Sequence, residues 1–154
     1  MKASDVMTSP VKTIGPRDTI RSAIETMLGA HMSGMALNGE LQQHGAQFVT
    51  KTRSAACYRL YLLEGRPARP GLVRVGAREG VAIDAEIWSL DAAAFGAFVA
   101  AIPSPLSIGT LELEDGGTVK GFLCEAVAVA RARDISNFGG WRQFLAQTGK
   151  AAEP

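Results

Sequence analysis

Little in this sequence points to a metal, a nucleic acid or a membrane. It holds two cysteines and two histidines among 154 residues, too few for a metal-ligand spacing or a disulfide framework. Cys57 and Cys124 each stand alone in apolar surroundings, where a free thiol behaves as a small hydrophobe. Charged residues make up 20% of the chain and the formal net charge is +1, against a usual charged share of about 25%. The basic residues are scattered and never form a stripe interleaved with aromatics, so neither a nucleic acid nor a membrane surface is an expected partner. No apolar run approaches the roughly 18 residues that a membrane-spanning helix needs. The N-terminus shows no signal-peptide core, and a cytoplasmic location is the expectation. Internal repeats and low-complexity tracts are also missing.

What is present is an ordinary globular composition, 47% apolar, at a length that fits one domain by the rule of about 100–200 residues per domain. Residues 5–14 alternate loosely around Pro10 and read as extended. Asp18 or Thr19 then offers an N-cap, and Ile20, Ala23, Ile24, Met27 and Leu28 recur at helical spacing, which predicts a helix. From Leu37 the pattern changes to strands and turns. Gln47 to Thr50 and Tyr58 to Leu63 are short runs with aromatic and β-branched content. Leu72 to Val75 and Val81 to Leu90 read as a hairpin joined by Gly76 to Gly80. Asp91 is a good N-cap for a helix over Ala92 to Ile102, closed by Pro103-Ser104-Pro105. Asp115-Gly116-Gly117 between Ile108–Glu114 and Thr118–Cys124 is the strongest hairpin signal in the chain. Glu125 to Arg131 suits a strand or a helix equally. A closing amphipathic helix starts at Asp134-Ile135-Ser136, with Trp141, Phe144 and Leu145 facing the core, and the tail from Gly149 frays. Five or six strands with a mid-chain and a terminal helix indicate an α+β fold. A small mixed β-barrel, closed or half-closed, with flanking helices would hide the strand edges.

The stretch Gly29 to Asn38 concentrates the chemistry. His31 is the one histidine beside a glycine turn, and its side chain titrates near neutral pH; it is a proton donor or else a residue capping the turn. Ser33, Gly34 and Asn38 offer amide or side-chain donors to an anion, or serve ordinary turn chemistry. Arg59 and Tyr61 share one face of their strand because side chains alternate. Arg59 and Arg74 each carry a planar fork suited to a carboxylate. Glu86 inside a small barrel would need a cationic partner such as one of these two arginines. Glu112, Glu114 and Asp115 surround a hairpin tip, with no histidine or cysteine beside them to complete a metal set.

Two resemblances follow from the wording of the chain. Asp5-Val6-Met7-Thr8, Pro10 to Ile14, Asp18-Thr19-Ile20 and Ser33-Gly34-Met35 resemble the opening of a cystathionine-β-synthase-type (CBS) regulatory domain, a family that senses adenosine nucleotides. Gly29-Ala30-His31-Met32-Ser33-Gly34-Met35, Tyr58-Arg59-Leu60-Tyr61, Pro70 to Val75, Glu86-Ile87-Trp88, Lys120 to Glu125 and Trp141-Arg142 resemble, in order, the C-terminal domain of allophanate hydrolase. That family is similar in fold to γ-glutamylcyclotransferases. Phe98 to Pro103, where a cyclotransferase carries its glutamate, has no carboxylate, so glutamyl cyclisation is not implied.

The first resemblance implies a CBS-like segment over 1–28; the second implies an allophanate hydrolase C-terminal-like domain over 29–148, with a flexible tail over 149–154. The second also implies a stand-alone protein that binds or decarboxylates a small N-carboxylated or dicarboxylate metabolite, such as N-carboxycarbamate, in urea and allophanate nitrogen metabolism. In that role His31 is the proton donor, and Ser33, Gly34, Asn38, Arg59, Tyr61, Arg74 and Glu86 bind the substrate. No metal and no organic cofactor is expected. The expected partners are the small anionic metabolite and either a second copy or a separate amidase subunit. The alternatives are a non-catalytic interaction or dimerisation module that keeps the fold, and an adenosine-nucleotide-sensing fragment.

Overall fold

A computed structural model describes residues 22–27 and 29–149. The expected extended stretch over 5–14, the cap at Asp18 or Thr19 and the tail beyond Gly149 lie outside these residues. The described chain is α+β and folds into two sheets. The larger has five strands in the order β2-β5-β1-β7-β6: β2 (Gln47–Arg53), β5 (Asp84–Asp91), β1 (Ser22–Met27), β7 (Thr118–Cys124) and β6 (Leu106–Glu112). The smaller has three, β4 (Arg69–Arg74), β3 (Tyr58–Leu63) and the short β8 (Arg133–Asp134). The helices are α1 (Asn38–Gln43), α2 (Ala92–Ala100), α3 (Ala126–Val129) and α4 (Trp141–Thr148), with a 3₁₀ turn at Ser136–Phe138.

The sheets do not close into a barrel. They meet where β4 packs against β7, so closely that a Cβ on Gly71 would lie 3.1 Å from the Cys124 sulfur. The core between them gathers Leu60 and Leu72 from the small sheet, Trp88 and Leu111 from the large one, Ile83 just before β5, and Phe144 from α4. Cys57 and Cys124 are free and buried; burial pushes both thiols up, in keeping with small apolar residues.

Three local expectations are corrected. Residues 22–27 are not helical. They form the central strand β1, antiparallel to β5 from Ser22↔Asp91 to Met27↔Glu86 and parallel to β7 at Glu25↔Lys120. Sheet pairing on both sides satisfies this backbone and overrides a weak local helical preference. Residues 72–75 and 81–90 do not form a hairpin, because β4 pairs with β3 and β5 joins the other sheet. The segment between them is instead held against β3, where Tyr58 bridges Val81. Finally, the chain after Leu37 first makes the short helix α1, and eight strands are described rather than five or six.

Other local signals hold. Asp91 caps α2, its Oδ1 accepting from the Ala94 amide at 2.7 Å. β6 and β7 pair antiparallel down to Glu112↔Thr118, with Gly116 at φ +85° in the connecting turn. Glu125 to Arg131 resolves as the single turn of α3.

Candidate functional site

The loop from Gly29 to Leu37 leaves the central strand and folds back on itself. The Met32 amide donates to the Gly29 carbonyl, Met35 to Met32 and Leu37 to Ala30. Two reaches of this loop meet different surroundings, one at His31 and one at Ser33.

His31 sits in an aromatic clasp. Its ring stacks on Phe122 at a centroid distance of 5.3 Å and an interplanar angle of 10°, and meets the edge of Phe98 at 5.3 Å and 86°. Only 13% of the side chain is exposed. Nε2 lies 2.9 Å from Glu40 Oε2; facing a carboxylate, which only accepts, Nε2 carries the hydrogen and Nδ1 is left as the basic nitrogen. Burial lowers the imidazole pKa, the bond and charge of Glu40 oppose that, and the charge of Arg69 lowers it further; the net direction is down from 6.5. The ring is therefore neutral near pH 7. Together with Gly29, Ala30, Arg69 and Pro70 it lines a cavity of about 30 Å³ between the two sheets.

Ser33 is gripped from the opposite side. Its amide donates to Glu86 Oε2 at 2.8 Å and its hydroxyl to the same oxygen at 3.0 Å. The Trp88 indole N–H donates there too, at 3.1 Å. Arg142 Nη2 donates to Glu86 Oε1 at 3.1 Å and also to the Ser33 carbonyl. Glu86 is 1% exposed. Burial by itself would raise its carboxyl pKa, but the donors from Ser33, Trp88 and Arg142 outweigh it and hold the group below its ordinary value. Beyond this clamp opens a pocket of about 420 Å³ lined in part by Lys51, Arg53, Asp84, Glu114 and Arg142.

The remaining sequence-selected residues fall in three places. Asn38 is buried and local, donating to the His31 carbonyl at 2.8 Å and accepting from Gln42. Gly34 turns the loop at φ +75°, a conformation that favours glycine. Arg59 and Tyr61 share the outward side of β3, opposite buried Tyr58 and Leu60, and Arg59 pairs with Asp134 at 2.8 Å. Arg74 is exposed and pairs with Glu112 at 2.9 Å. The fold thus brings His31, Ser33, Gly34, Asn38 and Glu86 around one loop, gives Arg59 and Arg74 other partners, and sets Tyr61 on the outward side of β3.

The cation for Glu86 is Arg142, and Glu40 and Arg69 surround His31. None of these three was selected from sequence. Arg142 carries a faint signal, a cation directly after Trp141 in the first turn of the closing amphipathic helix α4. Among the described residues, no three or more His, Cys, Asp or Glu side chains converge as a metal-binding set, and no helix is long and apolar enough to cross a membrane.

The family model for the allophanate hydrolase C-terminal domain matches residues 26–146. The chain belongs to that family. A urea amidolyase of Lachancea kluyveri is 35% identical over 136 residues, which is 86% of this chain and 7% of the relative. The chain thus spans less than a tenth of that curated relative. The solved Kluyveromyces lactis allophanate hydrolase superposes with a TM-score of 0.80 at 34% identity, covering 86% of this chain and 22% of that one. A solved uropathogenic E. coli-specific protein superposes with a TM-score of 0.75 at 35% identity, covering 81% of this chain and 96% of that one. A γ-glutamyl cyclotransferase, 11% identical with a TM-score of 0.51 over 73% of this chain, shares the fold alone. In this allophanate hydrolase C-terminal domain, β1 and the His31 loop lie inside or beside the matched span, and the Glu86–Arg142 clamp lies within it.

Proposed function

We propose that this domain binds a small N-carboxylated dianion, such as N-carboxycarbamate, at the His31 cavity and promotes its loss of CO2 during urea and allophanate nitrogen breakdown. The observation that carries the reading is the pairing of a neutral, caged imidazole with an arginine on one cavity wall. The cavity of about 30 Å³ exceeds the roughly 10–15 Å³ that a cavity needs to admit a single water. It takes one carboxylate, held by the Arg69 fork, while the rest of the ligand lies at the mouth beside His31.

The reaction needs one proton and no redox partner. The C–N bond breaks as its electron pair goes to nitrogen, which takes the proton. The departing carboxylate becomes CO2, and carbamate remains. His31 is neutral in the empty site because it is buried. A dianion beside it favours the imidazolium and loads the ring with a proton. As the C–N bond breaks, the neighbouring charge falls from that of a dianion to that of carbamate, and this support for the imidazolium weakens. Burial again favours the neutral ring, and the proton passes to the developing nitrogen. Ser33, Gly34 and Asn38 keep the loop in shape for this exchange. The partner that fits this reading is an amidase that supplies the dianion.

Malonate is a stable stand-in. Titrating it into histidine-labelled protein should raise the His31 pKa, and His31→Asn should weaken malonate binding by about tenfold or more, the loss expected for one charge-assisted contact. Equal malonate affinity in His31→Asn and the parent chain would overturn the assignment.

A further inference from the structure

We infer that Glu86 and Arg142 are positioning residues that fix His31 by clamping the loop two residues away. The inference rests on the proposed role of His31.

Both backbone groups of Ser33 are held by side chains from distant elements. Its N–H goes to Glu86 on β5 and its carbonyl to Arg142 on α4, 53 and 109 positions away. The loop's own bonds tie Met32, Met35 and Leu37 and leave the Ser33 peptide to the clamp. On the N-terminal side of His31, the Ala30 carbonyl accepts from the Leu37 amide, and Asn38 donates to the His31 carbonyl itself. On the Ser33 side, Met32 is fully packed at 2% exposure and Ser33 is clamped. The backbone carrying the imidazole is therefore pinned at both flanks, which lets Phe98 and Phe122 select one ring orientation. Side chains locked by packing and by supporting hydrogen bonds hold a reacting group to within a fraction of an ångström.

The bonding pattern also requires Glu86 to be ionised. One oxygen receives three donors and the other receives the guanidinium, so a protonated carboxyl would aim a hydrogen at another donor. Arg142 has two tasks from one nitrogen, Ser33 and Glu86. A side chain that replaced only its charge would lose part of this geometry.

The test uses the full chain with labelled histidine. Arg142→Met removes the bond to the Ser33 carbonyl, and the loosened loop should let the Ser33 amide exchange roughly ten- to a hundredfold faster, the factor that loss of one charge-assisted bond gives. The His31 pKa should rise toward its ordinary value, and kcat for CO2 release should fall at least tenfold with KM little changed. Arg142→Lys should recover part of each effect. If Arg142→Met does not fold, Ser33→Ala removes only the hydroxyl donor and should shift the same His31 resonance in the same direction by less. A fall in turnover with an unmoved His31 signal would overturn the positioning role. A moved His31 signal with unchanged turnover would uphold it and sink the proton-donor role of His31 instead.

Discussion

The substitution Glu86→Gln isolates the buried carboxylate at almost constant shape. All four contacts on Glu86 come from donors, three of them on one oxygen. A glutamine can offer its carbonyl to Ser33 and Trp88, but its amide then faces Arg142 Nη2, donor against donor. The reverse orientation fails at the Ser33 amide and the Trp88 indole. The milder arrangement loses the Arg142 bond and the charge assistance of the other three, a cost of about 2–4 kcal/mol. For a domain of this size that is a melting-temperature drop of roughly 6–12 °C. The effect depends on pH in a definite sense. Glu86 is held below its ordinary pKa, so its ionised form stabilises the fold above the unfolded value of about 4.3, and that contribution disappears as pH falls through the lower folded value. Paired melts of the two proteins should show the full gap at pH 7 and a closing gap below about pH 4. Glu112 and Asp134 are also held low, but both proteins carry them and their contributions cancel. A gap under about 1 kcal/mol at pH 7, or one that persists unchanged into acid, would refute the ionised clamp.

Two further predictions concern the frame. Gly80→Ala would place a Cβ 2.4 Å from the Tyr58 amide nitrogen and 2.6 Å from the Cys57 carbonyl carbon; backbone cannot yield, so urea denaturation should show a loss of about 2–4 kcal/mol. Asp91→Ala removes the cap on α2 and should cost about 0.5–2 kcal/mol in the same assay, without altering malonate binding.

The sequence was most legible where a short code closes a local bond. Asp115-Gly116-Gly117 predicts its hairpin because the Asp115 carboxylate accepts from the Gly117 amide two residues on. Asp91 predicts its helix start for the same reason. β1 departs from its helical expectation because a short apolar run carries both periods, and its identity is decided by β5, 59 to 69 positions away in the chain. The false hairpin after Gly76 arose because turn residues show that the chain bends, not which sheet it joins. At the site, residue chemistry selected His31, Ser33 and Glu86. The role of Arg142 is not written in its local sequence because its partners are 56 and 109 positions distant. Arg59 and Arg74 have the right chemistry for a carboxylate, and the fold gives them Asp134 and Glu112.

The most direct measurement of the functional account is CO2 release from N-carboxycarbamate generated in place by an allophanate-cleaving amidase. Adding this chain should raise the rate above the spontaneous one, and adding the His31→Asn chain should leave it near the spontaneous rate. Identical rates with and without the chain would contradict the account.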